Sequence, residues 1–240
     1  VKMHEITKEQ YETDNYTLYG GIFNIPYIAS RNHPLLPIFS ADGIMIVRQT
    51  VSDLEKNYGS FKSYYTSQPN DYLSDPDKKG TAYFENLLNT MEKQDGPNRF
   101  ALLGLENSKE WSEFHGEYLK QLQFIAKKQE AGNYKVYTPG EYYSLYKSDA
   151  QIPGRFLKSV DFPKSGVLWY FGKTYRARLE IVGGTLVLTD LRIFPDNLID
   201  TYLQNSAGAS RAYWVMPYLL DSSQQFTQNA AIAAFADTRE

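Results

Sequence analysis

The sequence predicts an α/β fold in which a strand–helix–strand–helix unit precedes an antiparallel β-rich region. Phe100 to Leu105 form a short apolar run with little alternation, which is typical of a strand buried on both faces of a parallel sheet. A helical period follows over residues 109–131, and Tyr134 to Tyr137 form a second short strand. Because parallel strands need a crossover of about a dozen residues, the intervening helix indicates that these strands are parallel.

Local signals set the limits of the predicted helices. The first helix carries an apolar stripe with spacings of three and four, formed by Trp111, Phe114, Tyr118, Leu122 and Ile125. Ser108 is its predicted N-cap, Glu110 lies in its first turn, and Gly132 is its predicted stop. Residues 138–141, with the sequence TPGE, fit a capping box with proline at the first position of a second helix.

The ends of the predicted strands supply the first candidate site. In parallel sheets covered by helices, ligands bind at the carboxyl ends of the strands. Glu106 and Asn107 directly follow the first predicted strand, and Thr138 follows the second. Glu106 is therefore a candidate acid/base or sugar-binding carboxylate. The alternative is a structural carboxylate that caps the next helix or pairs with a lysine.

Two N-terminal loops add candidates for ligand contact. Residues 20–37 are rich in glycine and proline but also apolar, which predicts a structured loop. His33 lies in this loop beside Arg31 and Asn32, where it could contact a ligand. A metal site is not indicated, because no second histidine is near. Asp42 is first of all a turn residue before the next strand.

The segment before the central unit combines a polar stretch with a helix. Residues 61–80 are polar, rich in tyrosine and interrupted by two prolines, which predicts an exposed excursion such as a lid or a disordered loop. Thr81 to Met91 then show a helical apolar period.

The C-terminal part predicts antiparallel strands. The predicted strands are Val167–Phe171, Tyr175–Val182 and Thr185–Phe194, and residues 183–184 (GG) form a two-residue hairpin between the last two. The charged side chains on these strands include Arg176, Arg178, Asp190 and Arg192. The simpler interpretation is a solvated face with cross-strand ion pairs. The alternative is a ligand-binding face.

Composition excludes several kinds of chemistry. The 240-residue chain has a net charge of −3 and no basic run, which argues against nucleic acid as the main partner. It has no cysteine, so disulfides, zinc–thiolate sites and cysteine nucleophiles are excluded. It contains no GxGxxG, P-loop, GxSxG or HExxH motif. Its 20 tyrosines could stack on sugars, although most are expected to pack half-buried with a wet hydroxyl.

The pattern LLGLEN, an aromatic amphipathic helix and TPGEYYSLY resembles the later part of the glycoside hydrolase/deacetylase superfamily. The family comprises polysaccharide deacetylases and glycoside hydrolase family 57, and the following β-rich segment is similar to an appendage of such proteins. The resemblance covers about residues 98–220 and implies a partial or distorted (β/α) barrel followed by the antiparallel region. The family's early Asp-Asp pair and His-x-x-x-His metal motif are missing, so the resemblance implies that the metal half either lies upstream of Val1 or has been lost.

These observations predict a carbohydrate-active domain, which as an enzyme would be a hydrolase. Glu106 is its predicted catalytic residue, the carbohydrate would also contact Asn107, Trp111, His33 and Asp42, and no metal ligand is assigned. The alternative is a non-catalytic glycan-binding or assembly module of a bacterial surface protein. We expect a barrel-like domain over residues 1–148 with a β-rich region over 149–240 packed on it. Because the chain begins with valine, an excised or processed chain is expected. The expected location is extracellular or at the cell surface, and a further alternative is a part of a larger membrane-anchored protein.

Overall fold

The computed structural model describes residues 21–38, 43–58, 64–77, 79–96, 99–105, 110–149, 154–200, 216–222 and 233–235. The helices in these residues are α1 (Pro69–Tyr72), α2 (Thr81–Glu92), α3 (Trp111–Glu130) and α4 (Pro139–Asp149). The strands are β1 (Tyr27–Ala29), β2 (Pro37–Ile38), β3 (Ile44–Ile46), β4 (Arg155–Lys158), β5 (Gly166–Phe171), β6 (Tyr175–Val182), β7 (Thr185–Ile193), β8 (Tyr218–Asp221) and β9 (Ala233–Phe235).

The described strands form two sheets. The smaller has the order β2-β1-β3, and the larger runs β4-β5-β6-β7, with β8 and β9 both paired to β7. The mixture of helices and sheets confirms the broad α/β prediction, and the antiparallel strands of the C-terminal part are confirmed. The glycines of the β6–β7 hairpin have φ values of 58° and 83°, as a type I′ turn requires.

The predicted parallel unit is wrong. Every strand pair in the described part of the chain is antiparallel, and its sheets form no closed barrel. Residues 99–105 and 134–137 form no strand. In the first segment Ala101 is exposed, so this segment is not a strand buried on both faces. An apolar run shows that a segment contacts the core, but it does not specify a hydrogen-bonding partner.

Helix ends follow the local signals closely. Gly132, with φ +76°, ends α3 in a Schellman motif, in which the amide of Asn133 donates to the Lys128 carbonyl at 2.9 Å. The capping box of α4 is confirmed, because the Thr138 amide donates to the Glu141 carboxylate at 2.8 Å. The predicted cap Ser108 lies outside the described residues, and Glu110 instead occupies the N-cap of α3.

The buried face of α3 differs from its predicted stripe. Phe114 is buried, but Trp111 and Leu122 are exposed. The helix instead buries two polar side chains, Glu117 and Gln121. The buried face of α3 differs from the predicted stripe because both polar side chains form hydrogen bonds with residues 64–77, which precede α2.

Residues 64–77 are not the exposed excursion that the sequence predicts. Seven of their polar or tyrosine side chains are buried: Thr66, Ser67, Gln68, Asn70, Asp71, Tyr72 and Asp75. The Tyr72 hydroxyl donates to Glu117 at 3.1 Å, and Gln121 Nε2 donates to the Ser67 carbonyl at 2.8 Å. Burial of polar groups is tolerated when they hydrogen-bond one another, and α3 supplies the partners here.

One apolar core connects the two parts of the chain. The Phe23 ring packs edge-to-face on Trp169 at 4.9 Å and on Phe171 at 5.3 Å. The indole N–H of Trp169 donates to the Leu54 carbonyl at 2.9 Å. The same cluster includes Leu88 of α2. The large sheet therefore packs against residues from the first part, while a domain boundary near residue 148 stays a prediction.

Candidate functional site

The structure describes two of the five sequence-predicted site residues, His33 and Trp111. Glu106, Asn107 and Asp42 lie outside the described residues. His33 is buried between β1 and β2, and its Nδ1 accepts a hydrogen bond from the Leu35 amide at 3.1 Å. This contact shapes the loop. Trp111 lies at the start of α3 and is 54% exposed.

The charged face of the large sheet is a buried ion network. Arg176, Asp190 and Arg192 are each 0% exposed. Asp190 accepts hydrogen bonds from Arg176 Nε and Nη2, both at 2.9 Å, and from Arg192 Nε at 3.3 Å. Arg192 also pairs with the buried Asp221. The network therefore connects β6, β7 and β8 inside the protein, and the predicted solvated face is wrong.

Aromatic rings and backbone carbonyls complete this network. The Arg176 guanidinium lies 5.1 Å from the Trp169 ring centroid, and that of Arg178 lies 4.7 Å from the Tyr58 ring. Arg176 Nη1 also donates to the Gly21 carbonyl at 2.9 Å. Burial, followed by the carboxylates of Asp190 and Asp221, raises the pKa of Tyr58. Because these groups are enclosed and satisfy one another, we assign them a structural role.

A cleft of about 250 Å³ is the best candidate for a ligand site. We call it the α2 cleft, because α2 forms one of its walls. The second wall is the turn at residues 51–56, and the third is the loop between β4 and β5. The polar or charged lining residues are Ser52, Asp53, Glu55, Lys56, Tyr83, Asn86, Thr90, Ser159 and Asp161.

Asp53 links two walls of the α2 cleft. Its Oδ1 accepts hydrogen bonds from the backbone amides of Glu55 and Lys56, both at 3.0 Å. Its Oδ2 accepts a hydrogen bond from the Tyr83 hydroxyl at 3.0 Å. Burial and the Asp53 carboxylate raise the pKa of Tyr83, so the phenol keeps its proton. Asp53 therefore holds the turn and the Tyr83 ring in fixed positions.

The third wall depends on close packing around Gly166. This residue has φ +85°, and a Cβ atom there would lie 2.7 Å from Ser159 Cβ and 2.9 Å from Glu55 Oε1. The Ser159 hydroxyl also accepts a hydrogen bond from the Val167 amide at 3.0 Å. Glycine thus allows the loop to approach the Glu55 carboxylate, with the exposed Asp161 on the same loop.

Tyr83 also contacts a partly buried ammonium group. Lys79 Nζ lies 5.1 Å from the Tyr83 ring centroid and 4.2 Å from that of Tyr65, and it forms an ion pair with Asp75. Burial, followed by repulsion from Lys56, lowers the pKa of Lys79. The Tyr83 ring therefore contacts the Lys79 ammonium group, and Tyr83 also lines the α2 cleft.

The cleft residues carry no sequence motif that could have identified them. Asp53 and Tyr83 are 30 positions apart, and Asp161 is more than a hundred positions beyond Asp53. Asp53 begins a helical turn, in which the Asn57 amide donates to the Asp53 carbonyl at 3.3 Å. Their convergence depends on how α2 and the β4–β5 loop pack.

The α2 cleft offers hydrogen bonding, electrostatic attraction and apolar contact. Its lining has carboxylates, an amide, hydroxyl groups, one ammonium group and an aromatic residue, together with the apolar residues Val51, Leu54, Leu87, Met91 and Val160. Within the described ranges, no three histidine, aspartate or glutamate side chains are grouped so that they could hold a metal ion. The described cleft therefore suits a small polar ligand.

Comparisons with known proteins do not identify a family. No protein-family model matches the sequence, and searches of curated proteins and of solved structures give no match. Among the described helices, none has the length and apolar character that crossing a membrane requires.

Proposed function

We propose that this protein is a carbohydrate-binding module that takes up a sugar unit in the α2 cleft. The observation that carries the proposal is the combination of size and lining in this cleft. Its volume of about 250 Å³ is slightly below the roughly 300–1,000 Å³ typical of pockets for drug-sized ligands. A ligand with few atoms and many polar groups, such as one sugar ring of a glycan, suits this space.

The lining supports a sugar because it pairs polar groups with an aromatic side chain. Sugar hydroxyls can donate to carboxylates such as Asp161 and exchange hydrogen bonds with the Asn86 amide, which is exposed on α2. Tyr83 supplies an amphipathic ring held in place by Asp53. A rigid ring reduces the entropy that is lost when a ligand binds.

Hydrolysis is the second candidate function, and carboxylates are the observation that favours it. Glycoside hydrolysis uses a pair of carboxyl groups, and Asp53, Glu55 and Asp161 all line the cleft. However, Asp53 already uses both oxygens in three hydrogen bonds that hold the turn and Tyr83, which gives it a structural role. Glu106 stays the predicted catalytic residue for this alternative.

Glycan binding tests the proposal directly. We expect a glycan panel followed by titration calorimetry to give saturable binding of at least one oligosaccharide. Asn86→Ala should weaken that binding about threefold to tenfold, as expected for the loss of one net hydrogen bond. Gln123→Ala, which removes an exposed amide on α3 outside the cleft lining, is the matched control and should leave affinity unchanged. Equal affinities for all three proteins would contradict the proposal.

Turnover separates binding from hydrolysis. We expect no release of acetate or reducing sugar from the bound oligosaccharide, with or without a chelator. If release occurs and Glu106→Gln abolishes it, the hydrolase alternative is correct. If release occurs and is insensitive to Glu106→Gln, Glu106 is not the catalytic residue.

A further inference from the structure

We propose that the α2 cleft selects sugars that carry a protonated amino group over neutral sugars of the same size. The inference deepens the proposed function and rests on it, because it names the class of ligand for the same cleft. It comes from the excess of negative charge in the lining and from the fact that only one of the three lining carboxylates, Asp53, uses both oxygens in hydrogen bonds with the described residues of the protein.

The charges that line the cleft are mostly negative. Three carboxylates, those of Asp53, Glu55 and Asp161, accompany a single ammonium group, that of Lys56. The lining thus has an excess of two negative charges. A cleft with charges mainly of one sign concentrates ligands of the opposite sign.

The two carboxylates on the open side of the cleft are available to a ligand. Asp53 uses both oxygens for the Glu55 and Lys56 amides and the Tyr83 hydroxyl. Glu55 and Asp161 are exposed side chains on different walls, the turn and the β4–β5 loop. An ammonium group between those walls would gain attraction from two sides.

The aromatic wall does not add to this attraction, because the protein's own Lys79 already contacts it. Lys79 Nζ lies 5.1 Å from the Tyr83 ring centroid, which is within the range of about 6 Å for cation–π attraction. The preference therefore comes from the Glu55 and Asp161 carboxylates. A neutral N-acetyl group lacks the attraction to both of them.

The test compares two oligosaccharides of equal length, a glucosamine oligomer and its fully N-acetylated form. At about pH 6 an amine with an ordinary pKa is protonated. By calorimetry in low salt, of about 0.05 M, we expect the amine form to bind about threefold to tenfold more tightly, as two partly exposed ion pairs would give. Raising the salt to about 0.5 M should remove most of this preference, because exposed charges are screened.

Charge variants assign the preference to the cleft. Glu55→Gln combined with Asp161→Asn should make the two affinities equal. Glu130→Gln, which removes an exposed carboxylate at the end of α3, should keep the full preference. Circular dichroism spectra that match the wild type would confirm that both variants are folded.

The outcomes separate the two proposals. If the N-acetylated form binds as tightly as the amine form, the charge inference is wrong and the glycan-binding proposal stands. If neither oligosaccharide nor any other glycan binds, both proposals are wrong. If Glu130→Gln lowers the preference as much as the cleft variant, the attraction comes from the overall charge and the inference is also wrong.

Discussion

Asp190→Asn should destabilise the protein strongly, because it removes the charge at the centre of the buried network. Asp190 is 0% exposed and accepts three hydrogen bonds, from Arg176 and Arg192. Removing one partner of a buried ion pair leaves an uncompensated charge and costs about 3–5 kcal/mol. Asparagine keeps the size and one acceptor, so we expect the lower end, about 3 kcal/mol.

Urea unfolding followed by tryptophan fluorescence measures this loss. Trp169 is buried beside Arg176 and should report the transition. With an m-value of about 2–3 kcal/mol/M, the midpoint should fall by about 1–1.5 M. The control is Asp95→Asn, which breaks the exposed pair between Asp95 and Lys158 and should cost less than about 1 kcal/mol.

A double substitution separates lost charge from lost packing. Arg176→Met with Asp190→Leu removes both charges and retains apolar volume, so it should be clearly less destabilising than Asp190→Asn. A midpoint for Asp190→Asn within about 0.3 M of the wild type would refute the reasoning, because the network would then not be enclosed as described.

Three further predictions concern single positions. Hydrogen bonds, first from the Thr138 amide, lower the pKa of Glu141. The stabilisation of α4 by this carboxylate should therefore persist at neutral pH and disappear as the pH falls below 4.5 through the lower folded-state pKa. Circular dichroism should show this acid-induced loss of helix in the wild type but not in Glu141→Gln. Gly166→Ala should destabilise the protein by about 1–3 kcal/mol in thermal unfolding. Gly183→Ala should destabilise it less, because only the Gly166 substitution would place a Cβ against a neighbouring side chain. Equal melting temperatures for the two variants would contradict this packing. Trp111→Ser should change the free energy of unfolding by less than about 1 kcal/mol and leave glycan affinity unchanged, whereas lost affinity would favour the site around Glu106.

The sequence is informative where structure depends on neighbouring residues. The capping box at Thr138, the stop at Gly132 and the hairpin at residues 183–184 each depend on backbone conformations that a few residues determine. These features are therefore predicted correctly. The predicted bounds of β6 match the structure, and those of β7 differ by one residue at its end.

The sequence misleads where the burial of a face depends on distant partners. Alternation in β6 places Arg176 and Arg178 on the face opposite to their sequence neighbours, but it does not determine which of the two faces packs against the core. The arginines are inside because Asp190 and Asp221 lie on adjacent strands. A charged face is expected outside only when no such counter-charges converge on it.

The same limit applies to the candidate site. The sequence of residues 64–77 is typical of a polar loop, but in the structure α3 supplies hydrogen-bond partners that allow this segment to be buried. The α2 cleft arises when three segments far apart in sequence meet, and neither the spacing nor the type of Asp53 and Asp161 indicates this. The strand-end rule that selects Glu106 requires a parallel sheet, and the described strands are antiparallel.

A backbone-amide NMR titration with the best-binding oligosaccharide tests the central claim most directly. We expect saturable shift changes concentrated at residues 51–56, at Asn86 and Thr90 of α2, and at residues 159–161, which form the three walls of the α2 cleft. Shift changes centred on Glu106 and Asn107, with the cleft amides unmoved, would contradict it and would favour the site predicted from the strand end.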